Sequence, residues 1–336
     1  MTRDEVQLFI ENGLPPNSGT GELVETHISW VVLCKDFAYK IKKPIHYSFL
    51  DFSSLEKRKH FLQEELRLNW RLTFNVYLGI DCIREAGAGP IIGGRGKVID
   101  YALRMRKLDR SKQMDQLVGN NDVLHADLAG LADRLIRFHR RTRVVHDANP
   151  LEVVERFDDL RQEIPYFGLS LGNEWASEAE ESLQLAAGFI RSQEPYLNKR
   201  LKAGWYRDAH GDLHTRNIFL LPEPVVFDCV EFNAAYREID LLNELAFLCM
   251  DLESFNRADL ADDFFRIYTQ AYPLEISDDD RALFLYYKSY RANVRAKVNS
   301  LRAQSAATGT DRDRALKEVV KYLTLMRQYL GELAFA

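Results

Sequence analysis

The sequence predicts an α+β chain of two lobes: a small antiparallel sheet carrying one helix, then a larger and mostly helical lobe. Three observations predict it. Strand-like segments crowd the stretch before Leu108, whereas after it apolar residues recur at helical spacing. The exception in the second part is a polar loop, His210 to Asn217, followed by a short apolar strand, Val225 to Phe227, that ends in Asp228. The expected division is 1–106 for the sheet lobe and 107–336 for the helical lobe, with the hinge near Met105 to Asp109.

In chain order, Thr26 to Leu33 is β-branched and aromatic, and Phe37 to Lys42 continues after a Lys35-Asp36 turn, which predicts a hairpin. Ser53 or Ser54 can cap a helix from Leu55 to about Leu72. Leu78 to Glu85 and Lys97 to Lys107 read as strands around the turn-rich segment 87–96. Leu128, Leu131, Leu135, Ile136 and Phe138 place a helix over 126–141. Further helices are expected at 151–163, 174–192, 237–251, 258–271, 278–303 and 312–333. No repeat of solenoid length is visible.

The bulk numbers exclude several classes. The chain has 336 residues, 46% hydrophobic and 28% charged, as in an ordinary globular protein. A net charge of −5 gives no reason to expect nucleic acid as a partner. No apolar run approaches the ~20 residues of a membrane span, and the N-terminal segment lacks an apolar signal region, so a cytoplasmic location is expected. Cys34, Cys82, Cys229 and Cys249 are scattered, and the eight histidines show no metal-site spacing. Reduced, half-buried thiols follow.

The chemistry is concentrated in His210-Gly-Asp-Leu-His-Thr-Arg-Asn217 and Val225-Val-Phe-Asp-Cys229. Phosphoryl transfer from ATP needs an acid that orients and deprotonates a hydroxyl, and oxygen ligands that hold Mg²⁺. Asp212 fits the first role; Asn217, five residues on, and Asp228, eleven beyond that, fit the second. This is the catalytic-loop and metal-loop spacing of a bilobal protein-kinase-like fold. A His-Gly-Asp turn alone is commonplace; the strand ending in Asp228 at the right distance makes the difference. His210 and His214 are expected to shape the loop, and Arg216 to meet phosphate, substrate or solvent.

On these residues the chain resembles the aminoglycoside phosphotransferase-like kinases, whose loop typically reads His-Gly-Asp-hydrophobic-His-x-x-Asn. It is more similar to an uncharacterised bacterial branch with segments like Thr26-His-Ile-Ser-Trp30, Tyr39-Lys-Ile-Lys-Lys-Pro44 and Phe227-Asp-Cys-Val-Glu-Phe-Asn233. Some members of that branch are fused to a P-loop kinase-like domain, and no such motif stands here: Gly96-Lys97 lacks the required glycine before it and the hydroxyl residue after it. The resemblance spans residues 20 to 300. It implies an ATP- and Mg²⁺-dependent transfer to a hydroxylated small molecule.

On the nucleotide side, Lys40 and Lys42 alternate onto one strand face, so only one need reach phosphates. Phe37-Ala-Tyr-Lys40 fits the kinase strand, and Ile41-Lys42-Lys43-Pro44 fits other phosphotransferases of the family; Lys40 is preferred. Its ion-pair partner is Glu64 or Glu65, with Glu65 in the better sequence context, and Met105 belongs to the nucleotide side at the hinge. The first hairpin has no Gly-x-Gly-x-x-Gly loop, so backbone amides with the hydroxyls of Thr26 or Ser29 are the substitute. Asp240 is expected to fasten the catalytic loop, with Glu244 standing where the family has a second Asp. Glu231 and Asn233 are candidate acceptor contacts. Lys288, Arg291, Arg295 and Arg302 form a basic stripe that either lies in solvent or walls the acceptor pocket, where it would favour a sugar, carboxylated or phosphorylated acceptor. A nucleotide-binding regulatory module without turnover is the alternative reading.

Overall fold

Most helices and strands fall where the sequence suggests, with additions. A computed structural model describes residues 1–47, 50–73, 75–87, 89–272 and 276–333. The strands are β1 (Glu22–Glu25), β2 (Ser29–Leu33), β3 (Phe37–Lys42), β4 (His46–Tyr47), β5 (Leu50–Asp51), β6 (Tyr77–Ala86), β7 (Gly89–Ile92), β8 (Val98–Arg106), β9 (Tyr206–Asp208), β10 (Ile218–Phe219), β11 (Val225–Val226) and β12 (Glu238–Asp240). The helices are α1 (Arg3–Asn12), α2 (Leu55–Trp70), α3 (Met114–Gly119), α4 (His125–Arg141), α5 (Glu152–Asp158), α6 (Ile164–Ser170), α7 (Asn173–Ser192), α8 (Glu194–Lys202), α9 (Leu241–Glu253), α10 (Ala258–Ala271), α11 (Asp278–Gln304) and α12 (Gly309–Leu333). Two units result. One comprises Met1–Gln113 with Asn217–Tyr236, the other Met114–Arg216 with Arg237–Ala336.

The first unit is built on a six-stranded antiparallel sheet in the order β1-β2-β3-β8-β6-β7. Alternation along β3 sends Tyr39 and Ile41 into a core with Val6 and Phe9 of α1, and Ala38 into a second core with Leu62 of α2. Lys40 and Lys42 share the α2 face by the same period. Ser54 caps α2 by accepting the Lys57 N–H. The hairpin β10–β11 belongs to this unit, and its Phe219 and Val225 join the α2-side core.

Several parts of the first unit depart from expectation, among them the short pair β4–β5. An additional strand, β1, precedes β2, which makes Thr26–Ser29 the tip of the β1–β2 hairpin. The glycine-rich segment 87–96 contains β7 as well as a turn, although residue 88 lies outside the described residues. Gly96 has φ +140°, and a Cβ there would sit 2.2 Å from the Glu85 carbonyl oxygen. The helix α1 was not foreseen; it is short and its apolar face is narrow.

The second unit is helical, around a core drawn from α5, α7, α9, α11 and α12. All residues of α9 from Leu241 to Leu252 are buried, the pattern of a helix enclosed on every side. The helix expected at 151–163 ends at Asp158, continues as a 3₁₀ turn through Glu163, and restarts as α6. Pro165, which has no N–H to donate, lies in the first turn of α6, where such a donor is dispensable. The helix expected from 237 starts only at Leu241, because Glu238–Asp240 pairs with β9 first. The four cysteines are free thiols. No helix among the described residues is long and apolar enough to cross a membrane.

Candidate functional site

In the first unit the two lysines of β3 meet Glu65 of α2, one on each carboxylate oxygen. Lys40 Nζ lies 2.7 Å from Glu65 Oε1, and Lys42 Nζ lies 2.6 Å from Oε2. Each lysine then reaches a second carboxylate, Lys40 to Asp228 Oδ1 at 2.6 Å and Lys42 to Glu231 Oε1 at 2.5 Å. Glu65 is wholly buried, whereas Glu64 lies on the outer face of α2 and pairs with Arg67. Burial works against the Lys40 charge, but Asp228, Glu65 and Glu231 outweigh it and hold the ammonium well above its ordinary pKa. Burial likewise pushes the Glu231 carboxyl up, against the pull of Lys42.

Asp228 owes its place to backbone geometry. It takes φ +65°, a left-handed conformation that Asp tolerates better than most side chains, and its N–H donates to the Tyr77 hydroxyl at 3.0 Å. The next N–H, of Cys229, donates to Asn69 Oδ1 at 3.0 Å. Across the hairpin, Ile218 pairs with Val226, and the Phe227 N–H donates to the Asn217 carbonyl at 3.0 Å. Asn217 and Asp228 therefore stand at neighbouring positions on adjacent strand ends. Their side chains offer only hard oxygen and amide donors, which suits a hydrated Mg²⁺ held by one or two protein ligands. Among the described residues no cluster of three or more His, Cys, Asp or Glu forms a metal cage.

The remaining first-unit candidates are placed as follows. Thr26 closes its own turn: its hydroxyl donates to the Ser29 carbonyl at 3.0 Å and accepts the Ser29 N–H at 2.9 Å. Ser29 is buried, pairs in register with Lys42, and its hydroxyl has no hydrogen-bond partner among the described residues. Met105, buried on β8, lies in register with Ala38 and Tyr77. Asn233 spends its side-chain oxygen on the Ala235 N–H at 3.0 Å.

In the second unit, the Asp212 carboxylate lies 3.4 Å from His214 Nε2, and the Asp212 N–H donates to His210 Nδ1 at 3.2 Å. Burial opposes the Asp212 charge, yet His214, His210 and Arg295 prevail and hold its carboxyl below the usual carboxylate range. The loop is fastened from α9. Glu244 accepts the N–H groups of His210 at 2.8 Å and Gly211 at 3.0 Å, and Asp251 accepts the Thr215 N–H at 2.9 Å and its hydroxyl at 2.6 Å. From α11, Arg291 donates to the Gly211 carbonyl at 3.0 Å and to Asn243 Oδ1 at 2.7 Å. His139 stands behind Glu244, 3.8 Å from it, and shares a 2.7 Å hydrogen bond with the Tyr268 hydroxyl. Arg216 Nε is 3.9 Å from Asp115.

Two expectations shift here. Asp240 does not fasten the loop: it caps α9 through the Leu242 N–H and takes Arg200 in a two-point pair at 2.6 and 2.8 Å. The loop contact belongs to Glu244, whose longer side chain reaches past the helix start. The basic stripe of α11 is not a solvated face either. Lys288 and Arg291 are buried, Arg295 is half-buried, and only Arg302 is exposed. Glu244 and Asp251 as paired anchors were missed, although two acids seven residues apart in an otherwise apolar run were a visible signal.

No family model matches the chain. An uncharacterized protein of Mycobacterium tuberculosis is 29% identical over 316 residues, which cover 91% of this chain and 59% of that protein. The chain thus spans less than two thirds of the curated relatives it matches. Two solved structures are similar along almost the whole chain. A choline kinase from Cryptosporidium parvum superposes with a TM-score of 0.57 at 12% identity, covering 98% of this chain and 97% of that one. The GDP complex of a point mutant of aminoglycoside 2'-phosphotransferase-IIIa gives 0.56 at 14% identity, covering 96% and 97%. The chain has the kinase-like fold. Within that fold, Lys40, Glu65, Asn217 and Asp228 fall together in the sheet-bearing unit, and Asp212 falls in the helical one.

Proposed function

We propose that this chain is a small-molecule kinase, moving the γ-phosphoryl group of ATP or another nucleoside triphosphate to a hydroxyl of a sugar-, amino-alcohol- or aminoglycoside-like acceptor. The observation that carries the reading is Lys40, gripped between Glu65 and Asp228, one strand-end away from Asn217. A lysine fixed by a helix glutamate is suited to phosphate oxygens, and Asn217 with Asp228 are suited to Mg²⁺, which when bound offsets the charge on the phosphates. Asp212 is the assigned base. Its depressed pKa keeps it ionised at neutral pH, so it accepts the hydrogen bond of the acceptor hydroxyl and orients it, which is most of what a loose phosphoryl transfer asks of a protein carboxylate. Lys42 is assigned away from the phosphates, because both of its partners are buried and its own side chain is fully covered.

One observation favours a second reading, a nucleotide-binding regulatory module. The Thr26–Ser29 tip is closed on itself, where kinases carry a glycine-rich flap. A thermal-shift assay with ATP, with and without Mg²⁺, and a screen of hydroxylated acceptors for ADP release separate the two. Mg²⁺-dependent binding with turnover on at least one acceptor supports the kinase; binding without turnover on any acceptor supports the module; no binding removes both.

A further inference from the structure

The carboxylates and lysines of the first unit form one chain of alternating charge: Asp228, Lys40, Glu65, Lys42, Glu231. Exposure is concentrated at one end of it. The Asp228 side chain is 39% exposed and Lys40 10%, whereas Glu65 and Lys42 are at 0% and Glu231 at 4%. Lys42 is also covered by the Phe52 ring, 5.1 Å from its ammonium. One end of the chain therefore opens to ligands, and the other is sealed.

We propose that Lys42 and Glu231 are positioning residues, a buried latch that ties the segment after Asp228 to β3 and neutralises Glu65 permanently. The inference rests on the kinase reading for its consequence, though not for its geometry. A fully buried glutamate served by a single lysine would be stranded whenever that lysine turned to phosphate. With Lys42 committed to its second oxygen, Glu65 stays compensated, and Lys40 can exchange Asp228 for a phosphate oxygen. The same latch holds Glu231, and the segment it ends is pinned at Asp228 by Tyr77 and at Cys229 by Asn69. Asp228 is thus fixed from three elements, β6, α2 and β3, before any ligand arrives. Such pre-placement lowers the ordering cost of binding a metal.

The test uses the full chain with Lys42→Met, Glu231→Gln and the double variant. Hydrogen exchange of the amides at 228–231 is expected to speed up by about tenfold or more in each single variant, and no further in the double. The Mg²⁺ concentration giving the half-maximal ADP thermal shift should rise by about fivefold or more, with the Mg²⁺-free ADP shift unchanged. A merely structural pair would weaken both shifts together, and that result overturns the proposal. So does exchange at 228–231 within about twofold of the parent in both single variants. Glu231→Gln preserves shape and carries the test if Lys42→Met does not fold. If the parent chain shows no nucleotide shift at all, the kinase reading fails, while the exchange measurement still decides the latch.

Discussion

At the residue scale Asp212 carries the sharpest expectation. Replacing it with Asn keeps the size and removes the charge, so turnover should fall by about 10²–10⁴-fold while the nucleotide-induced thermal shift is retained. Its folded pKa is depressed, so its charge is present above the unfolded carboxylate value of about 3.9 and is lost only as pH falls through the lower folded value. The rate profile of the parent should therefore show no Asp212 inflection between about pH 5 and 8. An acid limb of the parent in that window that moves when Asp212 is replaced by Glu would contradict the assignment. Glu244 is a second case. Glu244→Ala orphans two buried N–H groups and should cost about 2–4 kcal/mol in a urea titration. Its pKa is also lowered, despite burial, by His139, His210 and the loop N–H, so its stabilisation holds above an unfolded value of about 4.3 and fades as pH falls through the folded one.

At the element scale, most of the sheet unit is legible in the sequence. The β2–β3 hairpin and the Ser54-capped α2 follow from strand alternation and one good cap. The strands β1 and β7 were not legible, because four-residue edge strands carry too little pattern to separate from turns. The motif from His210 to Asn217 stands out in the sequence; its support does not. Whether Asp240 or Glu244 holds the loop depends on where α9 begins, and that is decided by β12 pairing with β9, a tertiary event. Arg200 makes this visible. It grips Asp240 at two points and also meets Asp280 of α11, all nearly buried. Arg200→Lys keeps the charge but forfeits the fork, and about 2 kcal/mol or more of stability should go with it in chemical denaturation. Loss below about 0.5 kcal/mol would mean that the α9 start is fixed by strand pairing alone.

At the scale of the whole molecule, the two units carry separable duties in the proposed reaction. Lys40, Asn217 and Asp228 all belong to the first, and Asp212 to the second. Nucleotide with Mg²⁺ at about 100 times its Kd should stabilise the chain by about 2.7 kcal/mol, seen as a rise in Tm. Slower hydrogen exchange on nucleotide addition should appear first in α2, β3 and residues 217–231. Protection confined to helices of the second unit would place the nucleotide wrongly and sink the assignment of Lys40.

Glu244 and Asp251 make α9 a gauge as well as a scaffold. Seven helical residues advance about 10.5 Å and complete nearly two revolutions, so both acids point at the same stretch of backbone. Adding or deleting a single residue between them would swing one carboxylate away by about 100° and release half of the grip. Volume-conserving apolar exchanges along this helix should be survivable one at a time, whereas any change in its length would be read out directly as a misdrawn loop.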